Sequence, residues 1–179
     1  GTAFAMKETL VDLKNRRSCR KYLAQQIEEE KLSAILEAGT YAPTGMGRQS
    51  PVIVVVQKPE LLEKISRLNA AVMGSTGDPF YGAPTVIVVL ADTAVASTVW
   101  RQDGSLVMGN LMNAAHAEGL ASCWIDRAYE EFQTEEGKAL LKKWGLPETC
   151  AGVGHCILGY ADGDLPAPKP RKENYIVRV

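Results

Sequence analysis

The sequence has no long apolar run. Val52–Val56 and Val86–Ala91 fall far short of the roughly 20 residues that a helix needs to span a bilayer. No secretory leader is evident at the N-terminus, so no membrane is expected as a partner and the expected compartment is the cytoplasm. Cysteine is scarce and unpatterned: Cys19, Cys123, Cys150 and Cys156 form no C-x-x-C pair, and neither His116 nor His155 groups with them. That argues against a metal centre and for free thiols. Arginines near Cys19 favour its thiolate, but no histidine accompanies it as a base, so it is read as incidental. The two histidines both lie in apolar segments, which leaves a Ser/His/Asp triad without support and makes them core residues. There is no G-x-S-x-G elbow, no Walker loop and no G-x-G-x-x-G after a strand. Gly152-x-Gly154 stands where a strand begins, and no helix follows it. Nor is there an excess of positive charge. A formal net charge of -1 gives no general basic field for nucleic acid.

Positive charge is instead concentrated in two places. Arg16, Arg17, Arg20 and Lys21 surround Ser18 and Cys19, and Lys169, Arg171 and Lys172 form a second group near the far end. Guanidinium groups bind phosphate through paired hydrogen bonds, and a serine hydroxyl can add one more. Two local clusters in a near-neutral protein suit a pincer on one small phosphate ligand. Two solvated patches are the plainer reading, and charge alone leaves both open.

A chain of 179 residues, 46% of them hydrophobic, fits one domain (1–179) with a substantial core. The apolar spacing predicts helices over Met6–Lys14, Glu28–Gly39 and Pro59–Met73. Strands are predicted at Val52–Val56, Thr85–Ala91, Ala121–Ile125 and Val153–Gly159. The unbroken β-branched runs suit strands covered on both faces. Asp103 is a candidate cap for a helix running to Glu118, and Tyr129–Trp144 reads as one further helix. The Leu106–Ala117 stretch is apolar on nearly every side. Such a helix is buried all round, and in a chain this small a second subunit is a natural source of cover. The tail holds Pro166, Pro168 and Pro170 and is expected to lie along something, before Tyr175–Val179 resumes a strand-like pattern.

Five segments then fall into an order: Arg16-Arg17-Ser18-x-Arg20; Ala42-Pro43-Thr44-Gly45-Met46-Gly47-Arg48-Gln49; Glu118–Ile125; Leu158-Gly159-Tyr160; and Lys169-Pro170-Arg171. This ordered set resembles the nitroreductase family of FMN-dependent NAD(P)H oxidoreductases, over nearly the whole chain. The resemblance implies an α+β protein with a three-layer α/β/α nitroreductase-like fold. Its mixed sheet would be flanked by helices, in an intertwined homodimer with FMN sites at the interface. It implies ping-pong hydride transfer from NAD(P)H through FMN to a nitroaromatic, quinone or similar small acceptor. The alternatives are another FMN-dependent reduction on the same fold, a flavin-binding carrier or sensor without turnover, and a phospho-ligand module with no flavin.

The resemblance also implies roles. Arg16, Ser18 and Arg20 would approach the phosphate, ribityl chain and pyrimidine edge, with Arg20 as the cation near N1 and O2. Arg17 would touch the flavin through its backbone, and Lys169 and Arg171 would close on the phosphate. The loop carrying Pro43, Thr44, Gly45, Gly47 and Gln49 would come from the other subunit. Asn69 would bond the pyrimidine edge. Trp124-Ile125-Asp126-Arg127 would end a strand beside the flavin, with a backbone N–H of Asp126 or Arg127 at N5. The sequence departs from the family's common pattern at Gly47, at Ser50-Pro51 and at Asp126-Arg127, where Glu-Gly is frequent. These departures bear on substrate choice.

Overall fold

The structure is a computed structural model and describes residues 6–179. The segment read for a leader therefore lies partly outside the described residues. The helices are α1 (Glu8–Asn15), α2 (Glu29–Thr40), α3 (Pro59–Val72), α4 (Trp100–Ala117), α5 (Ala128–Glu131) and α6 (Glu135–Lys143). The strands are β1 (Pro51–Val56), β2 (Thr85–Asp92), β3 (Ala121–Ile125) and β4 (Cys150–Gly159), in sheet order β1-β2-β4-β3. Every neighbouring pair of these strands is antiparallel. The parallel component of the expected mixed sheet is a single bridge from Ser18 to Ser122. That bridge lays the arginine-rich segment along the outer edge of β3.

The period-2 alternation of β2 builds the three layers. Ile87 and Val89 pack with Ile35, Met108 and Leu111, on the side of α2 and α4. Val86, Val88 and Leu90 pack with Ile65, Phe132 and Leu141, on the side of α3, α5 and α6. Each such side chain removed from water contributes about 1.5–3 kcal/mol, so the two sandwiched cores dominate the fold.

Gly152 and Gly154 find their reason here. A Cβ on Gly152 would collide with the carbonyl of Ala128, and one on Gly154 would lie 2.8 Å from the Trp124 ring. The pair flanks a β-bulge opposite Val89 and Leu90. The motif is a packing device that seats α5 and Trp124 directly on β4.

Four expectations need correction. The helix expected over Tyr129–Trp144 is two, because Thr134 starts α6 afresh by accepting the Gly137 N–H at 3.0 Å. Asp103 does not cap α4, which begins three residues earlier, and is buried inside it. β1 is an edge strand whose cover is only partial: Ile53 packs on one layer and Val52 and Val54 on the other, but they are half-buried and Val55 is exposed. Tyr175–Val179 forms no strand, since it pairs with no other segment among the described residues, and its Val177 is 73% exposed. On its own, the chain covers only one stripe of α4. Leu106 remains 48% exposed, and a Cβ on Gly109 would meet open space. Among the described residues no helix is long and apolar enough to cross a membrane, and no three His, Cys, Asp or Glu side chains come together as a metal group.

Candidate functional site

The densest polar construction in the molecule lies where β3 ends. Ile125 is the last ladder residue, paired with His155, and the chain then turns through Asp126 and Arg127 into α5. Arg127 has φ 73°, a left-handed conformation that a non-glycine side chain adopts at a cost of about 1–2 kcal/mol. What holds it is Asn69 of α3, which is fully buried. The Asn69 Nδ2 donates to the Asp126 carbonyl at 2.8 Å and to Glu131 Oε2 at 3.2 Å, while its Oδ1 accepts from Arg127 Nε at 3.0 Å. Glu131 in turn lies 2.8 Å from His155 Nε2, an ion-pair contact rather than an aligned hydrogen bond, with both side chains fully buried. His155 Nδ1 lies 3.2 Å from the Ile125 carbonyl, which can only accept, so Nδ1 carries a hydrogen. The network thus starts on the Ile125 carbonyl and closes on that of Asp126. Among the described residues, neither the Asp126 nor the Arg127 backbone N–H finds a partner.

The first basic cluster reaches the same strand. The Cys19 N–H donates to the Ser122 carbonyl at 2.9 Å, so Arg16–Arg20 runs beside β3. Arg16, Arg17 and Ser18 are half-buried and Arg20 is exposed. Arg17 is turned to its own backbone, with Nη1 on the carbonyls of Lys14 and Arg16. The guanidinium groups of Arg16 and Arg20 form no ion pair among the described residues. Ser122 Oγ and Arg17 Nε are buried there without a hydrogen-bond partner. The tail leaves the domain next to this cluster, because Tyr22 bridges Ala161 and the Asp162 N–H donates to the Lys21 carbonyl at 2.9 Å. Lys169 and Arg171 lie further along it, exposed, with Arg171 Nη2 on the Lys169 carbonyl at 2.8 Å.

The Pro43–Gln49 loop is tied elsewhere. Asp103 anchors it, accepting the Gly45 N–H on Oδ1 and the Ser50 hydroxyl on Oδ2, both at 2.8 Å. Met46, Gly47 and Gln49 all have left-handed φ, which turns the chain tightly outward. Pro43, Gly47 and Gln49 are exposed, Thr44 and Gly45 are half-buried, and Met46 is 86% exposed. No hydrogen bond among the described residues joins this loop to Arg16–Arg20 or to Asp126–Arg127.

Asn69, expected at the pyrimidine edge, has its amide committed to bracing the Asp126–Arg127 turn. The brace from Glu131 to His155 and the role of Asp103 as a loop anchor were not legible in the sequence, although a histidine directly after Gly152-x-Gly154 marks a close-packed strand. Trp124 is half-buried and Ile125 buried beneath the turn. The four cysteines are free and buried. Burial pushes the Cys156 thiol up to about 12, with Cys123 adding to the effect, and Cys19 Sγ is turned to the Lys21 carbonyl at 3.1 Å. Burial also holds the Tyr22 phenol far above its ordinary range, and its hydroxyl donates to the Cys19 carbonyl at 2.6 Å.

The model of the nitroreductase family matches residues 13–80 and 71–160. A candidate NADH dehydrogenase/NAD(P)H nitroreductase from Archaeoglobus fulgidus is 32% identical over 173 residues, covering 95% of this chain and 91% of that protein. The FMN reductase (NAD(P)H) of Bacillus subtilis is 32% identical over 187 residues, covering 93% of this chain and 70% of that protein. A nitroreductase with bound FMN from Bacteroides fragilis has the same fold, with a TM-score of 0.88 at 32% identity over 97% of this chain and 100% of that one.

Proposed function

The chain belongs to the nitroreductase family, and from that premise we propose that it is an FMN-dependent NAD(P)H oxidoreductase. Its acceptor is a nitroaromatic, a quinone or a similar small molecule, reduced by a ping-pong sequence. The observation that carries the site is the Asp126–Arg127 turn, where two adjacent backbone N–H groups have no partner among the described residues and the backbone is locked by Asn69. Such donors on a rigid turn suit the N5 edge of a flavin. FMN held by these residues would supply the redox chemistry that links hydride donor and acceptor.

The rest of the chain binds and orients. Arg16, Ser18 and Arg20 run along β3 with uncommitted donors, which suits a phosphate, a polyol chain and the N1/O2 edge. Ser122 Oγ and Arg17 Nε, buried without partners, belong to a surface that still has hydrogen bonds to make. Lys169 and Arg171 close on the phosphate from the tail. The outward-turned Pro43–Gln49 loop, the bare stripe of α4 and the exposed tail favour a homodimer in which each chain offers its loop to the other's flavin.

The absorbance spectrum of the purified protein tests this, followed by NADH or NADPH. A yellow protein that bleaches on addition of the donor is expected, releasing FMN on heating. FAD in the released fraction, or no flavin uptake after reconstitution, defeats the proposal. A yellow protein that does not bleach fits a flavin carrier instead.

A further inference from the structure

Arg127 has an arrangement that neither packing nor surface solvation explains. Its backbone is left-handed, where glycine fits without strain. Its side chain is half-buried, and its Nε is spent on Asn69 Oδ1. That single bond fixes the plane of the guanidinium, because Asn69 is itself held by the Asp126 carbonyl and by Glu131, and Glu131 is held by His155. A solvated surface arginine has no such brace. The outer edge, Nη1 and Nη2, bonds no acceptor among the described residues. No carboxylate lies within 4.0 Å of it either among the described residues, the exposed neighbouring acids Asp126 and Glu130 included. A rigid, planar, half-buried cation with its forked edge unused matches a carboxylate, which the fork takes through two parallel bonds.

We propose that Arg127 is a specificity-determining residue that receives the carboxylate of an anionic acceptor at the flavin, and that Asn69, Glu131 and His155 act as positioning residues that aim it. The inference rests on the proposed flavin site, since the same turn sets both the N5 donor and the guanidinium. The acceptor is then an aromatic or conjugated acid rather than a neutral compound. The backbone conformation is tolerated because the Nε bond returns part of the strain and the free edge gains a ligand.

The test uses the FMN-loaded protein and two non-reducible probes, benzoate and its neutral counterpart benzamide, each titrated against the flavin absorbance. Wild type should bind benzoate the more tightly. Arg127→Gly relaxes the left-handed residue and so should fold. It should weaken benzoate by roughly ten- to a hundred-fold, the range for one charge-assisted pair, and leave benzamide unchanged. Arg127→Lys should retain part of the preference. Asn69→Ala should narrow the benzoate-to-benzamide ratio while the charge stays in place. Equal binding of the two probes by wild type, or a preference that survives Arg127→Gly, overturns the inference and leaves the flavin assignment standing. Weakening confined to NADH or NADPH also overturns it, by giving the guanidinium to the donor's phosphates. Failure to take up FMN overturns the flavin site and this inference together.

Discussion

Two of the loops that carry left-handed, non-glycine residues are finished to different degrees. At Asp126–Arg127 the chain closes on itself: Asn69, Glu131 and His155 link two backbone carbonyls of the same turn through buried contacts. At Pro43–Gln49 only the root is held, by Asp103, and the tip with Met46 stands in solvent. The lesson is one of division. On the proposed reading, one chain builds a rigid wall for a ligand and carries the opposite wall on its outside, and that second wall belongs to the partner's site.

The largest effect should come from breaking the closed side. Removing one member of the fully buried His155–Glu131 contact leaves the other polar group without a partner, so His155→Ala or Glu131→Ala should lose about 3–5 kcal/mol in urea denaturation. Asp103→Ala, at the root of the open loop, should cost less, about 1.5–3 kcal/mol, because its two partners are neutral donors, the Gly45 N–H and the Ser50 hydroxyl. Equal losses at the two places would erase the contrast between them.

The next effect concerns ligand rather than fold. Arg16→Ala and Lys169→Ala each remove a charge-assisted bond to the phosphate on the proposed reading, so FMN affinity should fall roughly tenfold or more with either change. The two positions share no contact within the chain, so a common loss would show that the ligand joins them. FMN titration by fluorescence quenching reads this. If Lys169→Ala binds as the parent does, the tail is no part of the site.

How much of this the sequence showed follows the same division. Strands were legible because β-branched runs have a simple period, and Ala121–Ile125 coincides with β3. The basic cluster at Arg16–Arg20 was legible because charge is visible without geometry. The helix break at Thr134 was not, since a single cap competes with a longer apolar pattern. The brace was hidden for a different reason. Asn69, Glu131 and His155 come from α3, α5 and β4, and only the sheet register brings them together. Asp103 misled because an acid near a helix start is usually a cap; here the helix starts earlier and the carboxylate serves a loop 58 residues away. The tail's apolar end read as a strand because pattern alone does not say whether a neighbouring edge exists.

Gly109→Leu should sharpen the contrast through opposite signs. In the isolated chain the site is open, so replacing glycine within α4 should stabilise the helix by roughly 0.5–1 kcal/mol. In a homodimer packed through this face, the added side chain intrudes between helices and dimer content falls. Sedimentation equilibrium with flavin absorbance separates the two. A variant that stays dimeric and keeps its FMN would place the interface elsewhere.

The smallest effect is a titration confined to the closed interior. Cys156 is fully buried, and burial pushes its thiol up to about 12 from an ordinary value of 9.0. The unfolded chain therefore loses this proton above about pH 9 while the folded chain keeps it, so folding binds the proton and stability declines as pH rises from there toward 12. The buried Tyr22 phenol is raised for the same reason and adds a decline of the same sign at higher pH. Between about pH 8 and about pH 9.5 the Cys156 share should be less than about 1 kcal/mol, given about 1.4 kcal/mol per pH unit for one fully linked proton. Urea midpoints for the parent and for Cys156→Ala at both pH values measure it. The variant should be less stable at the lower pH, because it leaves a small cavity, yet should lose less between the two. Parallel losses would mean that the thiol ionises as readily folded as unfolded, and that the layer under α2 and α4 admits water.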